Sequence, residues 1–268
     1  PAGIWRALNA LPGDVAMLTD AQLLRYNRQI LLKDFDVAGQ ERLLAARVLI
    51  AGLGGLGCPA ALYLAAAGVG RLLLADGDVV ETGNLQRQIA HGDKDVGTNK
   101  ALSAAAAIGA LNPGVAVEVI PERLTEQSLP ALVNRVDLVL DATDNYPVRF
   151  ALNRVCIAHE VPLVSAAAVR SEGQLAVFDP RRGGPCYRCL YPESGANTAL
   201  SCSENGVLAP LVGVIGSLQA MEALKLLSGF GEPLRGSLLV LDLRSMDIRR
   251  LTVPRRPDCP DCGQLAAG

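Results

Sequence analysis

The sequence predicts an α/β fold: a doubly wound, mostly parallel sheet, extended by antiparallel strands and joined by a structural zinc site. Three observations carry this. A strand, a glycine-rich turn, a helix and a second strand follow one another between residues 47 and 76. Strand and helix patterns then keep alternating as far as residue 168. Two Cys-x-x-Cys pairs stand in the last third of the chain. Alternation of this kind is the mark of a parallel sheet covered by helices on both faces.

The first unit organises the rest. Residues 47–51, Arg-Val-Leu-Ile-Ala, read as a buried strand that runs into Gly52-Leu-Gly54-Gly55-Leu-Gly57. An alanine-rich helix over 58–67 follows, then a strand over 71–76 ending in Asp76. Such a Rossmann-like unit sets unpaired backbone N–H groups and the positive end of a helix beside a bound phosphate. The glycines allow a tight turn and close approach to a ligand where a Cβ would clash. The terminal acid suits ribose hydroxyls. On its own the unit says nucleotide, most often a dinucleotide, so a nicotinamide-dependent oxidoreductase is one reading. Residues 48–70 also carry no charge and are long enough to cross a bilayer. Six glycines and Pro59 within that run, with Arg47 and Arg71 at its edges, argue against a membrane helix.

The remaining elements follow in order. Residues 1–18 read as an extension, and 19–268 as a single domain that includes the tail. Thr19-Asp20 is a helix start leading into 21–32, and a second helix covers 37–46. After Asp76 comes a polar loop, 77–88. Residues 98–111 read as a helix stopped by Asn112-Pro113-Gly114. A strand over 115–121, a short helix over 124–134 and a buried strand over 136–143 come next. A helix over 146–159 then leads to a strand over 162–168. Beyond it the pattern changes: a strand over 173–179, a turn at 181–185, and a Ser/Asn/Glu/Gly-rich loop over 191–206. A buried helix over 207–228 has Pro210 near its start and Gly229 after its end. Residues 237–243 and 248–253 form a hairpin.

Composition narrows the function. Half of the 268 residues are hydrophobic, enough for a sizeable core. A formal charge of −2 and the lack of a basic tract argue against nucleic-acid binding. No signal-like apolar stretch opens the chain, so a cytoplasmic home is expected. Seven cysteines is an odd number, and four of them form Cys186-x-x-Cys189 and Cys259-x-x-Cys262. Four thiolates suit tetrahedral zinc in a closed, structural site. Roughly seventy residues separate the pairs, so the metal would pin the carboxyl tail to the body, contributing on the order of 10 kcal/mol. A redox pair is the other reading. Cys58 and Cys156 fall in helices and read as core. His91 and His159 are expected at the surface.

Asn84, Arg87 and Lys100 follow the second strand, and Asp144 ends a later one, where ligands of open α/β sheets sit. Two cations could neutralise a triphosphate, and a carboxylate could hold Mg2+. Taken together, Gly52-x-Gly54-Gly55-x-Gly57, Asp76-x-Asp78, Asn84-Leu85-Gln86-Arg87-Gln88, Lys100, Asp141-x-x-Asp144-Asn145 and both cysteine pairs resemble the ubiquitin-activating-enzyme-like superfamily, over roughly residues 18–264. The molybdopterin branch is the nearest, with the thiamine-pathway branch beside it. The resemblance implies an adenylyltransferase that uses ATP and Mg2+. The terminal glycine carboxylate of a small ubiquitin-like sulfur-carrier protein would attack the α-phosphorus and release pyrophosphate. It implies a nucleotide site of Gly52, Gly54, Gly55, Gly57, Asp76, Asp78, Gly83, Asn84, Leu85, Gln86, Arg87, Lys100, Asp144 and Asn145. It implies Asp76 on the ribose and Asp144 on the metal. Arg87, Lys100 and Arg28 would face the reacting charge, with Arg28, in Arg25-Tyr-Asn-Arg28-Gln, reaching into a second subunit's site. A homodimer follows. Cys202, in Leu200-Ser-Cys202, would be either a covalent relay or an unreactive loop thiol.

Overall fold

Two aliphatic strands flank the glycine turn, each exposing only its first residue. They are β1 (Arg47–Ala51) and β2 (Arg71–Ala75). Strands buried on both faces belong inside a sheet covered by helices, and that is where the computed structural model places them. It describes residues 18–179, 182–191 and 206–264. The other strands are β3 (Ala116–Ile120), β4 (Leu138–Asp141), β5 (Leu163–Val169), β6 (Glu172–Phe178), β7 (Ser237–Asp242) and β8 (Asp247–Thr252). They form one sheet in the order β3-β2-β1-β4-β5-β6-β7-β8. The pairs from β3 to β5 are parallel, and those from β5 to β8 antiparallel. The connections reverse direction between β1 and β4, which leaves a crevice at their carboxyl ends.

Alternate side chains of these strands feed two cores. Val48, Ile50, Leu72, Leu74, Leu138 and Leu140 join one; Leu49, Ala51, Leu73, Ala75 and Val139 join the other. The first is covered by α2 (Asp36–Ala45), α3 (Gly57–Ala66), α4 (Lys100–Leu111) and α8 (Ala209–Ser228), which supply Leu43, Leu64, Ile108 and Ile215. The second is covered by α5 (Leu129–Val133) and α6 (Tyr146–Ala158), through Leu129, Phe150 and Leu152. The run 48–70 is thus β1, a turn and α3, not a spanning helix. By length and composition α8 could cross a membrane, but half of its apolar window is buried here. The Gln219 amide of α8 donates 2.9 Å bonds to the carbonyls of Asp141 and Val164, fastening it to β4 and β5.

Three helix starts carry side-chain caps. α1 (Asp20–Ile30) opens on Thr19, whose side chain and that of Gln22 form a reciprocal capping box. Asn99 caps α4 and Asn145 caps α6. Pro210 lies in the first turn of α8, and Gly229, at φ 76°, ends it. One helix is shorter than expected. The run 124–134 is helical only from Leu129, because the Thr125 and Ser128 hydroxyls bond each other's backbone N–H groups and hold a turn in place of the first helical residues. The 237–253 hairpin forms with Leu239 opposite Arg250.

Candidate functional site

At the carboxyl ends of β1, β2 and β4 lies a cavity of about 510 Å3. Its floor is the glycine turn. Gly52 has φ +90°, and a Cβ there would lie 2.9 Å from the Ala142 carbonyl of the neighbouring strand end. A Cβ on Gly57 would lie 1.9 Å from the Gly52 carbonyl. Only glycine lets α3 begin this close to β1. No side chain caps α3; Pro59 has no N–H and the Cys58 N–H is taken by the Gly54 carbonyl at 3.0 Å, so the Gly57 N–H and the helix dipole are what α3 offers an anionic ligand.

One wall holds Asp76, whose carboxylate accepts from the Leu53 N–H at 2.7 Å and the Asp78 N–H at 2.9 Å. These bonds fix it between the turn and the loop after β2. Asn84 and Arg87 rise from a 3-10 turn, Thr82–Asn84, and an Arg87 Nη donates to the Gly83 carbonyl at 3.0 Å. Lys100, the first residue of α4, has an ammonium 3.3 Å from Asp78, which also pairs with Arg123 at 3.1 Å. On the other wall the exposed Asp144 lies between β4 and α6. The described residues give its carboxylate no hydrogen bond or ion pair.

Of the residues singled out in the sequence, Gly52, Gly54, Gly55, Asp76, Asp78, Asn84, Arg87, Lys100, Asp144 and Asn145 line this cavity. Gly83, Leu85 and Gln86 form the turn that presents Asn84 and Arg87 and do not line it. Gly57 sits behind the turn as the first residue of α3. Arg28 is exposed on α1 and reaches no part of this chain's cavity. Cys202 lies outside the described residues, as do residues 1–17 and most of the 191–206 loop.

The implied nucleotide site left out Gln88, named only as part of the motif, and sequence reasoning missed Arg123 and Arg149; all three line the cavity. Gln88 is buried, and its carbonyl oxygen has no hydrogen-bond partner among the described residues. Arg149 is buried in α6. Its Nε lies 3.8 Å from Asp141, and it donates to the carbonyls of Thr143 and, at 2.9 Å, Ala166. Burial opposes charge on this guanidinium, but Asp141, Tyr187 and Tyr191 together outweigh it and hold Arg149 above its ordinary value. A lone arginine within the apolar stretch that contains Phe150, Ala151 and Leu152 was the available signal. His91 corrects the surface expectation: it is buried behind the glycine turn.

The four paired cysteines converge. α7 (Tyr187–Leu190) is a single turn that carries Cys189, and all four sulfurs lie within 4.8 Å of one another. Cys186 is 3.9 Å from Cys189 and 3.6 Å from Cys259, and Cys189 is 3.5 Å from Cys262. Zinc–sulfur bonds of about 2.3 Å in a tetrahedron put the sulfurs about 3.8 Å apart, so the cluster fits that ion. Asp261 braces it, accepting from Asn153 and Arg188 at 2.8 Å each.

Comparison with known proteins agrees with this geometry. A model described as the ThiF family matches residues 26–261. The molybdopterin-synthase adenylyltransferase of Escherichia coli (strain K12) is 52% identical over 250 residues, covering 93% of this chain and 100% of that protein. The sulfur carrier protein ThiS adenylyltransferase of the same strain is 46% identical over 246 residues, covering 92% and 97%. Among solved structures, E. coli MccB with succinimide superposes with a TM-score of 0.81 at 25% identity, over 95% of this chain and 77% of that one. The protein is a member of the ThiF family.

Proposed function

We propose that this protein adenylates the terminal glycine carboxylate of a small ubiquitin-like sulfur-carrier protein, using ATP, in molybdenum cofactor biosynthesis. The observation that carries this is full-length similarity at 52% identity to a molybdopterin-synthase adenylyltransferase, in a chain whose own cavity is lined by Asp76, Arg87, Lys100 and Asp144. A C-terminal carboxyl has a pKa of about 3.3–3.7, so the nucleophile is ionised at neutral pH and needs no general base. Its oxygen bonds to the α-phosphorus, the bond from that phosphorus to the β-phosphate oxygen breaks, and pyrophosphate leaves.

The barrier is an anion meeting a polyanion, and the chain's own groups meet it. Asp76, held by two backbone N–H groups, accepts from the ribose. The α3 N-terminus receives the phosphates. Arg87 and Lys100 stabilise charge on the transferring phosphoryl group. Leu124, Tyr146 and Val148, shared with an adjoining recess of about 400 Å3, offer an apolar place for the base. Asp144 holds Mg2+, which supplies further positive charge when bound. Cys186, Cys189, Cys259 and Cys262 hold zinc as a structural clamp. The antiparallel extension, where β8 leaves Ile248 and Leu251 exposed, receives the carrier's globular body. Leu24, Arg28 and Leu31 share one exposed face of α1 and the turn after it. That face packs on a second copy in a homodimer and sends Arg28 into its site. Residues 19–268 act as one adenylation domain in the cytoplasm.

A second reading keeps the reaction and changes the carrier: the relative named for ThiS favours the thiamine-pathway protein. Purified protein with ATP and Mg2+ should exchange labelled pyrophosphate into ATP only when a Gly-Gly-tailed carrier is added, and fastest with the molybdopterin-pathway carrier. No exchange with any such carrier refutes adenylation, and a preference for the thiamine-pathway carrier selects the second reading.

A further inference from the structure

We infer that His91 is a positioning residue that ties the three segments of the nucleotide site into one frame. The inference rests on the adenylation reading. His91 belongs to the loop that carries Asn84 and Arg87. Its Nε2 lies 3.2 Å from the carbonyl of Leu53, in the middle of the glycine turn. Its Nδ1 lies 2.8 Å from the hydroxyl of Ser103, one turn along α4 from Lys100. Leu53 in turn donates its own N–H to Asp76 at 2.7 Å. One imidazole therefore joins the phosphate turn, the arginine loop and the lysine helix, and the turn it grips orients the ribose acid.

The tautomer follows from the partners. The Leu53 carbonyl can only accept, so Nε2 carries the proton and Nδ1 accepts from Ser103. Cys58, whose sulfur is 3.5 Å from Nε2, also donates to the Leu53 carbonyl at 3.2 Å. Burial pushes that thiol up to about 12, so it stays protonated and competes for no proton. The charged groups facing the ring are Lys100 from α4, Asp95 from its own loop and Asp76 from the end of β2. Burial, helped by Lys100, outweighs the Leu53 carbonyl and the two carboxylates and lowers the imidazole from its ordinary value, so the ring is neutral in the frame. Unfolded, it would take a proton at about pH 6.5. The neutral ring therefore contributes stability that is fully present above that pH and declines as the pH falls from it toward the lowered folded value, where the frame itself is protonated.

The test uses the zinc-loaded full chain and three substitutions. His91→Gln can keep a donor near the Nε2 position, whereas His91→Asn and His91→Leu cannot reach Leu53. Calorimetric ATP affinity and the KM for ATP should weaken about tenfold in the Asn and Leu variants. The rate at saturating ATP should change far less, and the Gln variant should stay near wild type. The wild-type protein should lose ATP affinity more steeply than the Gln variant only well below pH 6.5, where the lowered imidazole of the folded chain takes a proton. Ser103→Ala is a milder probe in case a His91 variant does not fold, and should raise the KM several-fold with its melting temperature kept. Unchanged KM in His91→Leu or Ser103→Ala, or equal loss in the Gln and Leu variants, overturns the inference. A wild-type protein that binds ATP but exchanges no pyrophosphate would sink the adenylation reading instead.

Discussion

Arg87 and Lys100 are both cations on one wall of the cavity, yet they are held in different ways. Lys100 is anchored at the first position of α4, with its side chain only 11% exposed and its ammonium on Asp78. Arg87 is half-buried, and its guanidinium donates to the Gly83 carbonyl of its own turn. Arg87 can therefore turn onto a ligand with little rearrangement, while Lys100 acts as a fixed charge. We expect Arg87→Ala and Asp144→Ala each to lower carrier adenylation by about a hundredfold or more with the melting temperature unchanged; near-wild-type rates in either would remove its assigned role. Both side chains are partly or wholly exposed, so neither supports the core. Asp144 was legible in the sequence because it closes a strand run, and Arg87 and Lys100 through the family motif in which they stand. His91 was not. Its partners, Ser103 and Leu53, lie 12 and 38 residues away, and no local pattern announces that a Gly/Asp-rich loop folds back over the turn. The Cys58–His91 pair at 3.5 Å has the look of a nucleophile and its base, but burial holds Cys58 as the thiol, the unreactive form.

Among the elements, the strand, turn, helix and strand at the start of the sheet were the most legible, because three independent signals agree there. The runs are apolar and bounded by arginines, the glycines fall where backbone meets backbone, and the acid closes the second strand. The antiparallel half was harder to read. Whether β6 pairs with β5 or leaves the sheet depends on the two residues, Arg170 and Ser171, that join them, and Arg170 has φ +57°, a conformation a non-glycine sequence does not advertise. The helix expected over 124–134 lost its first turn to hydroxyl bonds that compete with helical ones. The β4–α6 connection shows most plainly what propensity cannot supply. Asp141 is fully buried and accepts from Ser165, Thr143 and the Thr143 N–H, and Arg149 is its ionic partner. Removing one member of such a pair leaves a buried charge unmatched, at about 3–5 kcal/mol. Arg149→Met should lower the free energy of urea unfolding by that amount and also weaken ATP binding, since Arg149 grips the Thr143 carbonyl beside Asp144. A loss of stability below about 1 kcal/mol would show that the pair is not what holds this connection.

At the scale of the molecule, two contacts reach beyond the sheet. The first is the cysteine cluster, which gathers a tail that otherwise leaves the sheet edge after Thr252. Burial raises the thiols of Cys186 and Cys262, so a bound dication is needed to drive off their protons. Cys189→Ser, or prolonged chelation, should deplete zinc and expose the chain after Thr252 to limited proteolysis. A metal-free protein with a protected tail would show that the core alone secures it. The second contact concerns Arg28. It stands on an exposed face with Leu24, 75% exposed, and Leu31, 74% exposed, apart from its own chain's cavity, so an arginine serving catalysis from there must serve another copy. In the proposed two-fold dimer each site would take Lys100 from one chain and Arg28 from the other. Arg28→Ala and Lys100→Ala proteins should each be nearly inactive alone. When they are mixed and allowed to exchange subunits, half of the dimers are mixed, and one of the two sites in each mixed dimer has both cations. About a quarter of wild-type activity should therefore return. If activity stays at the level of the separate variants although mass measurement shows mixed dimers, Arg28 works within its own chain or not at all.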